Sequence, residues 1–124
     1  MQSSLVLKCK ESVSIADGVH KGKIIKVEKA LHGDYEYVDI YVALEDAQLD
    51  GKPFEIKYST PANLSEASKL GKLLAKFKPI KAGEQYDLVT MLIATPVSLM
   101  TQQEKAKDGN VYSRIVEGSL KPLQ

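Results

Sequence analysis

The chain has 124 residues, 44% hydrophobic and 27% charged, with a net charge of +1. These values fit one globular domain over residues 1–124, leave little room for two, and let the chain bury a real core without any need for disorder. The small net charge counts against any nucleic-acid ligand, because phosphate neutralisation supplies most non-specific affinity, although the charge need not be spread evenly.

Other classes drop out on composition. No apolar run reaches about 18 residues, so no membrane span is expected. Met1-Gln2-Ser3-Ser4 lacks the basic and then apolar pattern of a secretory signal. Cys9 is the only cysteine, which suits a reducing cytoplasm and leaves no Cys/His cluster for zinc. Sixteen of the seventeen basic residues are lysine, and Arg114 is the only arginine. Bidentate base reading prefers arginine or amides, so any nucleic acid would be held by its backbone and by stacking, not read as a sequence.

In chain order, Leu5 to Ile15 reads as a lead-in segment, and Asp17-Gly18 as a turn. Val19 to Leu31 is the first main strand. Ile24 and Ile25 break its alternation, and Gly22 just before them points to a bulge or bend. His32-Gly33-Asp34 is a hairpin turn. Tyr35 to Asp46 is the clearest strand. Val38, Ile40, Val42 and Leu44 fall on one face; Tyr35, Tyr37, Asp39, Tyr41 and Ala43 fall on the other. After a turn at Asp50-Gly51-Lys52-Pro53, Phe54, Ile56 and Tyr58 alternate with polar residues in a third strand ending at Pro61.

Asn63 with Glu66 has capping-box spacing and predicts a helix start. Leu70, Leu73, Leu74 and Phe77 follow as a helical stripe, with Lys69, Lys72 and Lys76 on the outer side. Gly71 in mid-helix suggests close packing against the barrel. Tyr86 to Ile93 fits a short helical turn capped by Asp87. Pro96 to Gln103 is a fourth strand, Lys107-Asp108-Gly109-Asn110 a hairpin turn, and Val111 to Glu117 a fifth strand.

Three strands, a helix and two strands predict a mainly β fold with one helix. The expected form is a five-stranded barrel of the oligonucleotide/oligosaccharide-binding (OB) type, with the helix between strands three and four plugging its open end. A twisted open sheet with the helix across one face is the rival.

Several pieces also resemble the small phage- and plasmid-type single-stranded DNA-binding proteins. They are Gly18 with Lys23-Ile24-Ile25-Lys26-Val27, Tyr37-Val38-Asp39-Ile40, and Ser68-Lys69-Leu70-Gly71-Lys72-Leu73-Leu74. Asp87-Leu88 through Leu92-Ile93 to Pro96-Val97-Ser98-Leu99 is similar to their approach to strand four, and Gly109-Asn110-Val111-Tyr112 through Ile115 to their last hairpin. The likeness spans most of the chain. Where such proteins usually carry a glycine after Leu92-Ile93, this chain has Ala94-Thr95. The resemblance implies an OB fold and cytoplasmic work in replication or recombination.

In that fold the binding face runs over the outer sides of strands two and three. Tyr37 and Tyr41, with Tyr35, fall there and suit base stacking. Lys26, Lys57 and Arg114 are the expected phosphate partners, and Tyr112 shares a strand face with Arg114. The same tyrosines serve equally as packing cover on a sheet, and Asp34, Glu36, Asp39, Glu45 and Asp46 repel phosphate nearby. Lys69, Lys72, Lys76, Lys78 and Lys81 are the solvated side of the helix or, alternatively, a return path for a wrapped strand.

Asp34, Glu36 and Asp39 lack calcium-loop spacing, and His20 and His32 read as isolated surface residues, so no metal is expected. No glycine-rich phosphate loop, nucleophile elbow or zinc signature occurs, so neither catalysis nor a cofactor is expected. The expected partners are single-stranded DNA, with RNA or oligosaccharide as alternatives, and a second copy of the chain or a replication protein. A protein-interaction module on the same barrel is the competing function.

Overall fold

Residues 15–49 and 51–123 are described in the computed structural model of the protein. The lead-in segment up to residue 14, with Cys9, and Asp50 of the expected second turn lie outside them.

The long first strand, β1 (Gly18–His32), turns at Gly33-Asp34 into β2 (Tyr35–Leu49). Gly33 takes φ 66°, and a glycine at the first of two central residues is what a tight hairpin of this kind favours. β3 (Lys52–Pro61) follows, then α1 (Lys69–Ala75), α2 (Leu88–Leu92), β4 (Pro96–Lys105), β5 (Val111–Ile115) and a two-residue β6 (Lys121–Pro122). The strands lie in the order β3-β2-β1-β4-β5, and every neighbour is antiparallel.

β1 serves two partners. Its first part pairs with β4, from Gly18 opposite Thr101 to Lys23 opposite Pro96. From Gly22 onward it pairs with β2. Sharing one coiled strand between both halves rolls the sheet into an OB-like half-barrel. β3 and β5 face each other across the seam, where the Tyr58 hydroxyl donates to Glu117 at 2.6 Å. Burial and that bond push the Tyr58 phenol up, well above the usual tyrosine range.

The expected bulge exists, but at Ile25 and not at Gly22: Ile24 faces Val42 and Lys26 faces Tyr41, leaving Ile25 as the extra residue. Gly22 has a different role. A Cβ there would sit 2.5 Å from the Ala43 carbonyl oxygen and 2.8 Å from Val42, so glycine lets β1 and β2 close up on the core side.

The core follows the predicted periodicities. Val38, Ile40, Val42 and Leu44 are buried, as are Ile24, Ile56, Val97, Leu99, Ile115 and Leu120. Leu70, Leu73 and Leu74 of α1 and Leu92 of α2 join them, with Phe77 packed alongside. The outcome for the helical region is two short helices, α1 alone carrying the stripe. α2 is the predicted helical turn, and the Asp87 carboxylate accepts from the Val89 and Thr90 amides as its cap.

Helix α1 starts later than the capping box suggests. Its cap is Ser68, whose hydroxyl accepts from the Gly71 amide at 3.0 Å. Ser65 and Ser68 bond reciprocally through amide and hydroxyl, holding the preceding turn outside the helix, while Glu66 reaches the Ala82 amide instead. β6, which pairs Lys121 with Ser98 of β4, went unpredicted because two residues carry no periodicity.

Ala94 sits in the left-handed region at φ 66°, alone among non-glycine residues described. The conformation lets the Ala94 amide reach the Ile24 carbonyl at 2.8 Å while Ile24 donates to Thr95 at 3.1 Å, tying α2 to β1 beside the bulge. A Cβ in that region costs roughly 1–2 kcal/mol, and glycine's extra unfolded-chain freedom returns part of it. Ala94→Gly is therefore expected to raise stability by up to about 1 kcal/mol in chemical denaturation. A lower midpoint would contradict this account of the turn.

His20 is a correction. It is 7% exposed on the inner side of β1 and not a surface residue. Its Nδ1 lies 2.8 Å from the Asp46 carboxylate and its Nε2 2.7 Å from the Ala16 carbonyl, which also accepts from the Thr101 hydroxyl at 3.1 Å. The ring thus fastens the chain leading into β1 to the far part of β2.

Candidate nucleic-acid interface

Direction along a strand decides which side chains share a face, and register decides which of them meet. In β1 the even residues up to Ile24 point inward. The extra residue Ile25 reverses the parity, so Lys26, Glu28 and Ala30 point outward, where unbroken alternation would bury Lys26. The outer face of β1-β2-β3 is then built in cross-strand rows. Lys26, Tyr41 and Lys57 form one row; Glu28, Asp39 and Ser59 the next; Ala30, Tyr37 and Pro61 the third. With Tyr35 opposite His32 at the hairpin end of the same face, five of the seven predicted site residues therefore fall on one surface.

The Tyr41 ring is half-buried, with Lys26 Nζ 5.3 Å from its centroid, within cation–π range. Its hydroxyl donates to Glu28 at 3.0 Å, and Lys26 pairs with the same carboxylate at 3.2 Å. The Tyr41 bond first, and then Lys26, hold Glu28 below its usual value of 4.5. The Glu28 bond raises the Tyr41 phenol above its usual 10.0. Glu28 favours its charged form in the fold, so the closed triad is present above the ordinary carboxylate range and opens as pH falls through the lowered Glu28 value. In Glu28→Gln, the Tyr41 phenol is expected to titrate at lower pH, closer to the usual value, in an ultraviolet titration. An unchanged titration would mean the two side chains are not bonded in solution.

Two residues from Tyr41 along β2, Asp39 is 3% exposed although it lies on the outer side. The Ser59 hydroxyl donates to it at 2.5 Å from the adjacent strand. A bonded carboxylate thus sits between the two tyrosines. Tyr37 is half-buried, and its ring meets His32 edge-on with centroids 4.9 Å apart. Tyr35, directly opposite His32 at the hairpin tip, is 73% exposed, and nearby Leu31 is 71% exposed. An aromatic group of Tyr35, His32 and Tyr37 therefore crowns the hairpin.

His32 and Glu28 were missed as members of this surface. The sequence signal for both was the broken alternation at Ile24-Ile25, which sets the outward parity of everything after it.

Tyr112 and Arg114 stand elsewhere. Both lie on the outer side of the β4-β5 hairpin, Arg114 opposite Gln102 and Tyr112 opposite Glu104. That is past the level of Gly18, roughly 25 Å of strand from Lys26 at about 3.3 Å per residue. Arg114 is paired with Glu104 at 2.8 Å, and the Tyr112 hydroxyl lies 3.4 Å from Asp108 in the hairpin turn. Cross-strand pairing does not bring them into the tyrosine rows.

Fold and surface together define a small OB-like barrel with a mixed aromatic, cationic and acidic outer face. No protein-family model matches the chain, and neither does any curated protein sequence. Among the described residues no helix is long and apolar enough to cross a membrane.

Proposed function

We propose that this chain binds single-stranded nucleic acid without sequence preference, DNA in the first instance and RNA as the alternative, in the cytoplasm during replication or recombination. The reading rests on one observation: Lys26, Tyr41 and Lys57 stand in a single cross-strand row, with Tyr37 on the same face beside it. Rings at that spacing offer stacking platforms to separated bases, and the flanking lysines suit the phosphates between them. Tyr37 and Tyr41 are about 13 Å apart along the strand, at about 3.3 Å per residue.

The face is not purely attractive. Lys26 is shared with Glu28, and Asp39 adds a second carboxylate between the rings. Exposed ion pairs are weak and salt-sensitive, so a phosphate competes with Glu28 for Lys26. The same carboxylates turn away weaker anions and lower the affinity of a short strand. Steep salt dependence is therefore expected.

Titration of the protein with single- and double-stranded oligonucleotides at two salt concentrations tests the reading. Preferential binding of the single strand that weakens with salt supports it. No binding of any single strand at low salt ends it. A protein-interaction module on the same barrel is the second reading, favoured by the exposed Leu31 and Tyr35 at the hairpin tip. A stable partner or self-assembly in sizing experiments, with no oligonucleotide binding, would select it.

A further inference from the structure

We propose that a single strand crossing the tyrosine face continues into the groove at the barrel seam, where lysines of α1 and β6 hold its sugar-phosphate backbone. This rests on the nucleic-acid reading above and extends it to a second part of the molecule.

The groove runs between α1 and the chain joining β5 to β6. One part, of about 390 Å³, is lined by Tyr58, Lys69, Lys72, Lys76 and Glu117. An adjoining part, of about 630 Å³, shares Lys76 and adds Ser98 and Lys121. Lys69, Lys72 and Lys76 recur at helical spacing on one side of α1, and β6 sets Lys121 beside β4. Lys69, Lys72 and Lys76 therefore line one part and Lys76 and Lys121 the other, with Lys76 common to both.

On the outer face Lys26 is shared with Glu28 while Lys57 has no ion pair among the described residues, and on the β4-β5 hairpin Arg114 is taken by Glu104. Among the described residues, Lys69, Lys72 and Lys121 have no carboxylate within ion-pairing distance. Lys76 donates to the Gly118 carbonyl at 2.6 Å, which fixes it on the groove wall without neutralising it. The one carboxylate lining the groove, Glu117, accepts from the Tyr58 hydroxyl. α1 has no acidic residue in its first turn, so like charges repel along a seven-residue helix. A polyanion relieves that repulsion; a neutral or cationic ligand does not.

The topology supplies the route. β3 carries Lys57 in the tyrosine row, and its next residue, Tyr58, lines the groove. Successive strand residues face opposite ways and β3 is the edge strand of the sheet, so a chain turning round that edge passes from Lys57 to the side of Tyr58, where Lys69 and Lys72 line the same groove. The ligand class is a phosphodiester chain longer than the tyrosine face alone can cover.

The test compares the wild type with Lys69→Ala/Lys72→Ala/Lys121→Ala. Lys76 is left in place because it holds Gly118. Two homopolymeric single-stranded oligonucleotides are used, of about 5 and about 16 nucleotides, near the limits of what one such barrel covers. For the longer strand, three lost contacts are expected to make the slope of log affinity against log salt shallower by about 2, at about 0.7 per phosphate. Affinity for it at low salt falls at least about tenfold. Binding of the shorter strand and the melting temperature stay as in the wild type. An unchanged slope on the longer strand overturns the groove while leaving the tyrosine face intact. Equal losses on both strands overturn it too, since they would reflect overall charge. A wild type that binds neither strand overturns the nucleic-acid reading, and the groove with it.

Discussion

Replacing Tyr37 and Tyr41 together by alanine is expected to weaken binding of single-stranded oligonucleotides by about 30-fold or more while leaving the barrel folded. Stacking of one base on an aromatic ring is worth roughly 1–3 kcal/mol, and two lost platforms at the low end give that factor. Both rings lie on the side of β2 opposite Val38, Ile40, Val42 and Leu44, so the core is untouched. Tyr41→Phe is the informative companion. It keeps the ring and removes the bond to Glu28, so binding should persist. Thermal melting controls for folding, and fluorescence anisotropy at low salt reads affinity. A double variant that melts normally and binds like the wild type would show that the tyrosines only cover the sheet.

The second large effect runs against ordinary helix energetics. Gly71 is the third residue of α1, and glycine to alanine within a helix would normally stabilise by up to about 1 kcal/mol. Here it is expected to destabilise by about 2–3 kcal/mol, as overpacking at a rigid contact does. A Cβ at position 71 would lie 1.7 Å from the Ser65 carbonyl oxygen and 3.1 Å from the Ser68 hydroxyl. The obstruction is backbone in a turn already tied by reciprocal Ser65–Ser68 bonds, so it cannot swing aside. The clash also lies at the cap that starts α1, and displacing it disturbs Leu70, Leu73 and Leu74 under the barrel. Urea denaturation with the melting temperature as a second readout tests the sign. A stabilised variant would mean that the turn before α1 does not lie where it is described.

The expectation that Gly71 serves close packing was right in kind and wrong in partner. Its neighbour is the turn just before the helix, not the barrel. Asn63 and Glu66 had the spacing of a capping box, yet Ser65 and Ser68 satisfy each other first and move the start to Lys69. Both outcomes come from competition among nearby hydrogen-bonding groups, where several caps were chemically acceptable and the geometry of the preceding turn selected one.

Ala94 is different again: the chain takes a left-handed turn there with alanine carrying the strain, a backbone conformation that no periodicity contains.

What the amino-acid sequence determined by itself was the local pattern: the aliphatic side of β2, the stripe of α1, the Asp87 cap of α2, the hairpin turns and the strand sequence of the barrel. These follow from short-range rules, a period of two in strands and 3.6 in helices, with turn residues between. The tertiary structure decided which groups meet. It turned Lys26 outward through Ile25, placed Glu28 against both Lys26 and Tyr41, buried His20 between Asp46 and Ala16, and set Lys69, Lys72 and Lys76 along one cavity and Lys121 with Lys76 along a second. The physical reason is register. Pleating sets the face of each side chain within its own strand, but cross-strand neighbours are chosen by pairing between segments far apart in the chain, and one inserted residue reverses every face beyond it.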